Sequence, residues 1–145
     1  RGLGDVYKRQ QYHETDQMGI IHHSNYVKWM EEARIRFLEE MGIDYRKLEE
    51  DGIISPIVEI SVNYKKTVNF DDEVKIGVFV KKYNGVRLGL GYEMRNCKDD
   101  AVCTTAYSMS CFTKDGTIVS LKKEKPELDA RVRQYMKQNQ VESDT

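Results

Sequence analysis

The 145-residue chain has almost no net charge and no long apolar run. It carries 23 Lys and Arg against 24 Asp and Glu, so its formal net charge of −1 provides no general attraction to nucleic acid or to an anionic membrane. No stretch of about 18 consecutive apolar residues is present, so no transmembrane helix is expected. The chain also opens without a signal-peptide pattern. We therefore expect a cytoplasmic protein that neither inserts into membranes nor binds nucleic acid.

Cysteines are few and their spacing excludes the common metal sites. Cys97, Cys103 and Cys111 are odd in number and lack CxxC or Cys/His metal spacing. We interpret them as reduced thiols in strands, and a disulfide between Cys97 and Cys103 across a hairpin is the less favoured alternative. No metal or organic cofactor is expected.

Internal repeats and low-complexity tracts are also missing, and the length suits one domain. The predicted domain spans residues 11–137. Residues 1–10 carry only a hint of a strand and are treated as an uncertain segment that need not be native. Residues 138–145 are predicted to be a disordered tail.

Residues 12–26 form a polar stretch that leads into the first helix. The stretch reads Tyr-His-Glu-Thr-Asp-Gln-Met-Gly-Ile-Ile-His-His-Ser-Asn-Tyr. Ser24 and Asn25 are favoured N-cap residues, so a helix is predicted from about Asn25 to Met41. Backbone N–H groups and the helix dipole at such an N-terminus stabilise developing negative charge. The pattern therefore indicates a reactive loop that precedes a helix start.

The predicted first helix is apolar over a wide arc, because apolar residues recur at spacings of three and four. These residues are Tyr26, Trp29, Met30, Ala33, Phe37, Leu38 and Met41. Gly42 stands where a glycine would close the helix. A short second helix is predicted over Asp44 to Glu50, and a terminal helix is predicted to start at Pro126.

From Ile53 onward the apolar residues alternate with polar ones, which is typical of strands with one buried face. The apolar positions are Val58, Ile60, Val62, Tyr64, Val74, Ile76, Val78, Val80, Val86, Leu88, Leu90, Tyr92 and Met94. Asn84-Gly85 predicts a hairpin. Further strands are predicted over residues 101–112 and 118–121. The pattern predicts an α+β fold in which a meandering antiparallel sheet wraps around the long helix.

Residues 14–26 resemble the signature of the 4-hydroxybenzoyl-CoA thioesterase branch of the hotdog-fold superfamily. The likeness is greatest to bacterial acyl-CoA thioesterases of that branch, including those associated with the Tol–Pal system. It extends through Trp29–Arg34 and Val62–Tyr64 and covers about residues 11–128. The resemblance implies a hotdog fold, a homodimer or homotetramer with the active site at a dimer interface, and a substrate that is an acyl-CoA or an acyl-carrier protein.

The resemblance also implies roles for individual residues. Asp16 would act as the nucleophile or as the general base that activates water. Backbone N–H groups around Gly19 to Ile21 would polarise the thioester carbonyl, and His23 would orient the acyl thioester. The remaining substrate-binding candidates are Ile20, Ile21, Tyr26, Asn63 and Tyr64. Candidates for the phosphates of CoA are Lys65, Lys66, Lys81, Lys82 and Arg87.

Two other functions stay open at this point. A hotdog hydratase or dehydratase would use His23 with Asp16 to move protons at an enoyl thioester, although the local motif differs. A non-catalytic acyl-CoA binding module would bind without turnover. Glu31 and Glu32 are interpreted as helix-surface or interface residues, and His22 and His23 are not expected to bind metal.

Overall fold

The structure, a computed structural model, describes residues 4–9, 23–66 and 73–138. Its helices are α1 (His23–Glu40), α2 (Tyr45–Glu50), α3 (Leu121–Glu124) and α4 (Pro126–Gln138). Its strands are β1 (Gly4–Arg9), β2 (Ile53–Ile54), β3 (Ile57–Tyr64), β4 (Glu73–Tyr83), β5 (Arg87–Asn96), β6 (Val102–Cys111), β7 (Thr113–Lys114) and β8 (Thr117–Ile118).

The long helix α1 follows the predicted pattern but begins at His23, two residues earlier than predicted. Ser24 therefore lies in the first turn of the helix and not at its N-cap, which corrects the prediction. The apolar stripe is buried as expected, through Trp29, Met30, Ala33, Phe37 and Leu38. Gly42 has a φ of +86°, a conformation that favours glycine at the end of a helix.

Five antiparallel strands form the main sheet in the order β1-β4-β5-β6-β3. The predicted meander is correct for β4, β5 and β6, but β3 lies beside β6 at one edge and not beside β4. Residues 4–9, which the sequence leaves uncertain, form β1 and pair with β4. The short strands β2, β7 and β8 form a separate sheet.

The inner face of the main sheet packs on α1, and its burial decreases toward β3. Cross-strand register places Val78, Tyr92, Ala106 and Val62 in one row from β4 to β3. Val78 and Tyr92 are buried, whereas Ala106 and Val62 are half-buried. The core therefore lies between α1 and β4–β5, and the inner face of β3 remains partly exposed.

The exposure of β3 corrects the prediction that its apolar face is buried. Alternation in β3 predicts a buried apolar face, but the side chains of Ile60 and Tyr64 are 41% and 40% exposed. Val58 is 53% exposed, next to a register shift between Ile57 and Glu59. Alternation identifies the two faces of a strand, but it does not show whether another element covers either of them.

The C-terminal region closes the end of the sheet. The prediction of a strand up to Leu121 is wrong, because β8 ends at Ile118 and Leu121 begins α3. Helix α4 starts at Pro126 as predicted, and the ring of Tyr135 packs edge-on against Phe37 with centroids 5.3 Å apart. Residues 139–145, most of the predicted disordered tail, lie outside the described residues.

No disulfide joins the three cysteines, which all lie in the described ranges. Cys103 and Cys111 are buried in β6. Cys97 is exposed in the turn after β5, so its predicted place in a strand is wrong.

Candidate functional site

Most of the predicted catalytic stretch falls outside the described residues. Asp16, Gly19, Ile20 and Ile21 belong to residues 10–22, which the structure does not describe. His23 and Tyr26 are described as backbone only, in the first turn of α1. Their predicted roles therefore stay predictions, and the site is built here from the elements around them.

The N-terminus of α1 supplies backbone hydrogen-bond donors. The first four N–H groups of a helix have no acceptor within the helix. In α1, which is 18 residues long, these groups belong to residues 23–26. Val27, at the end of the first turn, is 43% exposed. This end of the helix can therefore stabilise a negative charge beside an exposed apolar side chain.

An exposed apolar surface, here called the β3 apolar face, lies on the inner side of β3. It consists of Ile60, Val62 and Tyr64, which the register with β6 places on the same face as the core. Because Ile60 and Tyr64 are exposed while Val62 is half-buried, this face is accessible. Such a surface fits the acyl part of a thioester.

Glu31 and Arg34 form an ion pair on α1. Arg34 Nη2 donates to Glu31 Oε1 at 3.1 Å, and Arg34 Nε donates to Oε2 at 3.4 Å. The Arg34 side chain is 3% exposed and that of Glu31 is 42% exposed. Burial alone lowers the pKa of Arg34, but Glu31 and the neighbouring Tyr45 outweigh it, so the net pKa is raised. Arg34 therefore stays charged, and it holds a carboxylate that is accessible from outside.

Behind this pair lies a hydrogen bond between two strands of the sheet. The hydroxyls of Tyr92 and Ser108 are 2.8 Å apart and buried. Burial raises the pKa of Tyr92 to about 12, with Ser108 and Arg34 opposing the shift and Glu31 adding to it. The charges of Glu31 and Arg34 therefore act on the pKa of Tyr92.

Two buried polar atoms in this region make no hydrogen bond within the described part of the chain. They are Arg34 Nη1 and Thr104 Oγ1. Thr104 sits on the inner face of β6, opposite Tyr64. Sequence reasoning included Arg34 only as part of the helix motif and interpreted Glu31 as a surface or interface residue. The available signal was an arginine four residues after Met30, on the apolar arc of the helix.

Asn63, Tyr64 and Lys65 lie together at the end of β3. Asn63 pairs with Thr105 and Tyr64 with Thr104, so their side chains point to opposite faces of the sheet. Tyr64 lies on the β3 apolar face, and burial raises the pKa of its hydroxyl. Of the predicted substrate-binding residues, Tyr64 is therefore the one on β3 whose side chain belongs to this face.

The predicted phosphate-binding residues separate into two groups. Arg87 pairs with Cys111 at one end of the sheet, and Lys65 follows Tyr64, which pairs with Thr104 at the other end. Seven residues along β6 separate these points, or about 24 Å at 3.4 Å per residue. Lys81 and Lys82 lie near Arg87, and Lys66 follows Lys65. The two groups cannot hold the same phosphate within a single chain.

A cavity in the described ranges lies away from the β3 apolar face. It has a volume of about 620 Å³ and lies at the C-terminal end of α1, lined by Ile35, Glu39, Gly42, Asp44, Tyr45, Arg46 and Glu49. Among residues 4–9, 23–66 and 73–138, no group of three or more His, Cys, Asp or Glu side chains could hold a metal ion. No helix in these ranges is long and apolar enough to span a membrane.

Known proteins named as thioesterases or esterases are similar to this chain. Residues 11–135 match the profile of the thioesterase-like superfamily. A Bacillus subtilis protein provisionally named acyl-CoA thioesterase YneP is 34% identical over 72% of this chain and 75% of its own length. An Aquifex aeolicus protein provisionally named an esterase is 33% identical over 82% of this chain and 92% of its own length. The crystal structure of a DHNA-CoA thioesterase from Staphylococcus aureus superposes with a TM-score of 0.87 at 29% identity, covering 97% of both chains.

Proposed function

The chain belongs to the thioesterase-like superfamily, and from this premise we propose that it hydrolyses acyl-CoA thioesters to a free acid and CoA. Membership confirms the predicted hotdog fold and the predicted enzyme class, a thioester hydrolase. The finer likeness to the Tol–Pal-associated enzymes stays a prediction. The observation that carries the proposal is the match over residues 11–135, which includes both the Asp16 signature and the helix after it.

In the proposed mechanism the thioester carbonyl lies at the N-terminus of α1. The free N–H groups of the first helical turn, with those around Gly19 to Ile21, would donate hydrogen bonds to the carbonyl oxygen as it becomes negative. Asp16 would attack the carbonyl carbon directly or remove a proton from the attacking water. The C–S bond then breaks, and the CoA thiolate takes up a proton and leaves. On the direct route the acyl group is then bound to Asp16 as an anhydride, which water hydrolyses to the free acid and the restored carboxylate; on the other route the attacking water gives the free acid at once.

The proposed enzyme is a homo-oligomer built through β3. One edge of β3 pairs with β6, and no described strand pairs with its other edge. An exposed edge strand with apolar side chains is a template for pairing with another chain. Two β3 strands that pair antiparallel about a two-fold axis would extend both sheets and cover the exposed apolar side chains Ile57, Val58, Ile60 and Tyr64.

Such a dimer also gives a role to the two basic groups. An antiparallel pair of β3 strands would bring the Lys65 end of one protomer toward the Arg87 end of its partner. We propose that the phosphates of CoA bind between these ends. Lys81 strengthens the Arg87 group, because its ammonium lies 5.4 Å from the centre of the Tyr107 ring and is held on the sheet surface.

Thiol release from a panel of thioesters tests the proposed function. The panel contains short, medium and aromatic acyl-CoAs and one acyl-carrier protein, and free thiol is measured by a colorimetric reagent. The proposal expects release from at least one acyl-CoA well above the rate without enzyme. Loss of the enoyl absorbance of crotonyl-CoA without thiol release would indicate a hydratase, and binding without turnover across the panel would indicate a binding module. Either result contradicts the proposal.

A further inference from the structure

We propose that Thr104 is a further catalytic residue, whose side-chain hydroxyl donates a hydrogen bond to the thioester carbonyl oxygen. The inference rests on the proposed function, because it takes this carbonyl to lie at the N-terminus of α1. It deepens that function by adding a side-chain donor from β6 to the backbone donors of the helix.

Three residues with hydroxyl groups lie on the inner face of β6 and differ in their hydrogen bonds. Register with β5 places Thr104, Ser108 and Ser110 on this face. The Ser108 hydroxyl lies 2.8 Å from that of Tyr92, and the Ser110 hydroxyl donates to the carbonyl oxygen of Leu88 at 3.5 Å. Thr104 Oγ1 makes no hydrogen bond within the described part of the chain, although Thr104 is 0% exposed. Of these three hydroxyls, that of Thr104 is therefore the one available to a ligand.

The end of the main sheet that carries the β4–β5 turn is joined to the start of α4. The backbone N–H of Leu121, at the start of α3, donates to the carbonyl oxygen of Gly85 at 2.7 Å. The buried hydroxyl of Tyr83, at the end of β4, donates to Asp129 Oδ1 on α4. These contacts hold the first turn of α4 beside this end of the sheet.

The rest of α4 shows in which direction α1 runs along the sheet. Arg131 donates to the carbonyl oxygen of Gly42, and four residues further along α4 the ring of Tyr135 packs against Phe37. As α4 leaves the β4–β5 turn, it therefore follows α1 backward from the C-terminal end of that helix. The N-terminus of α1 consequently points to the opposite end of the sheet.

Thr104 lies toward that opposite end. Along β5, six residues separate Leu88, near the turn, from Met94, which pairs with Thr104, or about 20 Å at 3.4 Å per residue. From Gly42 back to His23, α1 and its final turn span about 28 Å at 1.5 Å per residue. The helix is therefore long enough for its first turn to reach the row of residues that contains Thr104.

Access to Thr104 is from the side of β3. Tyr64 pairs with Thr104 in the register and is 40% exposed, so burial does not fix its side chain in one rotamer. On the other side, Met94 is 0% exposed and belongs to the core. A thioester that binds against the β3 apolar face would therefore approach the Thr104 hydroxyl past the ring of Tyr64.

A buried hydroxyl without a partner suits the oxygen of a thioester carbonyl. This oxygen becomes more negative in the transition state, so a donor that is already fixed and shielded from water stabilises it without reorganisation. A donor that was paired within the protein would first have to break its own hydrogen bond. A hydroxyl that is buried only at a cost to stability is the simpler role for Thr104, and it predicts no effect on catalysis.

Thr104→Val separates these roles, because it keeps the shape of the side chain and removes the hydroxyl. We expect kcat for the best acyl-CoA of the panel to fall about 100-fold, the scale of losing one oxyanion donor, with KM changed by less than about threefold. The melting temperature should stay equal or rise, because an unpaired polar group has been removed from the interior. Activity and stability should therefore change in opposite directions, which a structural role would not produce.

Two further variants complete the test. Thr104→Ser restores a hydroxyl and should recover most of kcat. Thr105→Val is the matched control, since it makes the same substitution one residue along β6, on the outer face opposite Glu93, and it should keep the original kcat. If Thr104→Val does not fold, Thr104→Ala and Thr104→Ser provide the same comparison, because they differ only by the hydroxyl.

The results that would overturn the inference differ from failure of the proposed function. An unchanged kcat in Thr104→Val would show that the hydroxyl does not act on the thioester. A kcat that falls together with the melting temperature, or equally in Thr105→Val, would assign the hydroxyl to the fold. Absence of thiol release by the unmodified protein from every thioester in the panel would instead contradict the proposed function itself.

Discussion

Arg34 is a charged residue on the buried face of the central helix, and burying it is favourable only because of its neighbours. Its guanidinium pairs with Glu31 and lies 5.5 Å from the centre of the Tyr45 ring. Removing one partner of a buried charge leaves the other uncompensated, which is strongly destabilising. Apolar spacing along α1 predicts Trp29 and Met30 in the core, but it does not predict this buried charge, whose partners are Glu31 on the same helix and Tyr45 on α2.

Tyr92 should make stability fall at alkaline pH. A tyrosine in the unfolded chain titrates near pH 10, whereas the pKa of Tyr92 is raised to about 12. Between these values the unfolded state has lost its proton and the folded state has kept it. The stabilisation is therefore complete below about pH 10 and is lost as the pH rises toward 12, at about 1.4 kcal/mol per pKa unit or roughly 2–3 kcal/mol in total.

Denaturant unfolding of the unmodified protein and of Tyr92→Phe at several pH values measures this loss of stability at alkaline pH. The variant should show a shallower decrease in unfolding free energy between pH 10 and 12. Tyr64→Phe is the matched control, because the Tyr64 side chain is 40% exposed. Identical pH slopes for Tyr92→Phe and the unmodified protein would contradict the burial of the Tyr92 hydroxyl that raises its pKa.

At the scale of elements, the turn after α1 is held by α4. Gly42 has a φ of +86°, and the side chain of Arg131 donates to its carbonyl oxygen at 2.6 Å. A Cβ at position 42 would meet the Arg131 guanidinium at a distance that requires movement. Gly52, which follows α2, has a φ of +84° and an open space around its Cα.

Gly42→Ala should therefore cost more stability than Gly52→Ala. Both variants adopt a left-handed conformation that costs a non-glycine residue about 1–2 kcal/mol. Only Gly42→Ala must also displace Arg131, which we expect to add about 1 kcal/mol through the lost hydrogen bond. Thermal melts of both variants, with and without Arg131→Ala, measure this difference. The difference should vanish in the Arg131→Ala background, and its persistence there would contradict the contact.

The elements also show what sequence patterns can predict and where they fail. Alternation in β4 and β5 correctly predicts Val74, Ile76, Val78 and Val80 facing Leu88, Leu90, Tyr92 and Met94 in the core. The order of the strands in the sheet does not follow from alternation. Local pattern and the turn at Asn84-Gly85 join neighbours such as β4 and β5, but the placement of β3 beside β6 depends on contacts distant in sequence.

At the scale of the whole molecule, the exposed side chains of β3 predict an oligomer. Ile60→Asp places a charge in the proposed interface and should shift the protein from dimer or tetramer to monomer. Ile118→Asp is the matched control, since Ile118 is also about half exposed, at 52%, but lies on the separate small sheet. Sedimentation equilibrium measures the mass of each variant.

The mass of the control should remain that of the unmodified protein, and a monomeric Ile60→Asp should also lose thiol release if the site needs two chains. An unchanged mass for Ile60→Asp would show that the protein does not assemble through β3. The sequence predicts this assembly only through resemblance, because no single-chain pattern distinguishes a strand that faces solvent from one that faces a partner.

The predicted reactive residues depend on the family signature at residues 14–26. The structure contributes the start of α1 and the β3 apolar face, both of which fit a thioester site. Asp16 itself has a role only by resemblance, since neither spacing nor composition separates a catalytic aspartate from one in an ordinary loop.

Asp16→Asn tests the central claim most directly, because asparagine keeps the size of the side chain and removes its charge and basicity. Thiol release from the best acyl-CoA of the panel is measured for this variant and for Asp115→Asn. Asp115 lies in an exposed turn with a φ of +54°, which asparagine tolerates. We predict that Asp16→Asn lowers kcat by at least about 100-fold, the scale of losing a general base, while its melting temperature and mass stay unchanged. Asp115→Asn should keep full activity, and a fully active Asp16→Asn would contradict the proposed mechanism.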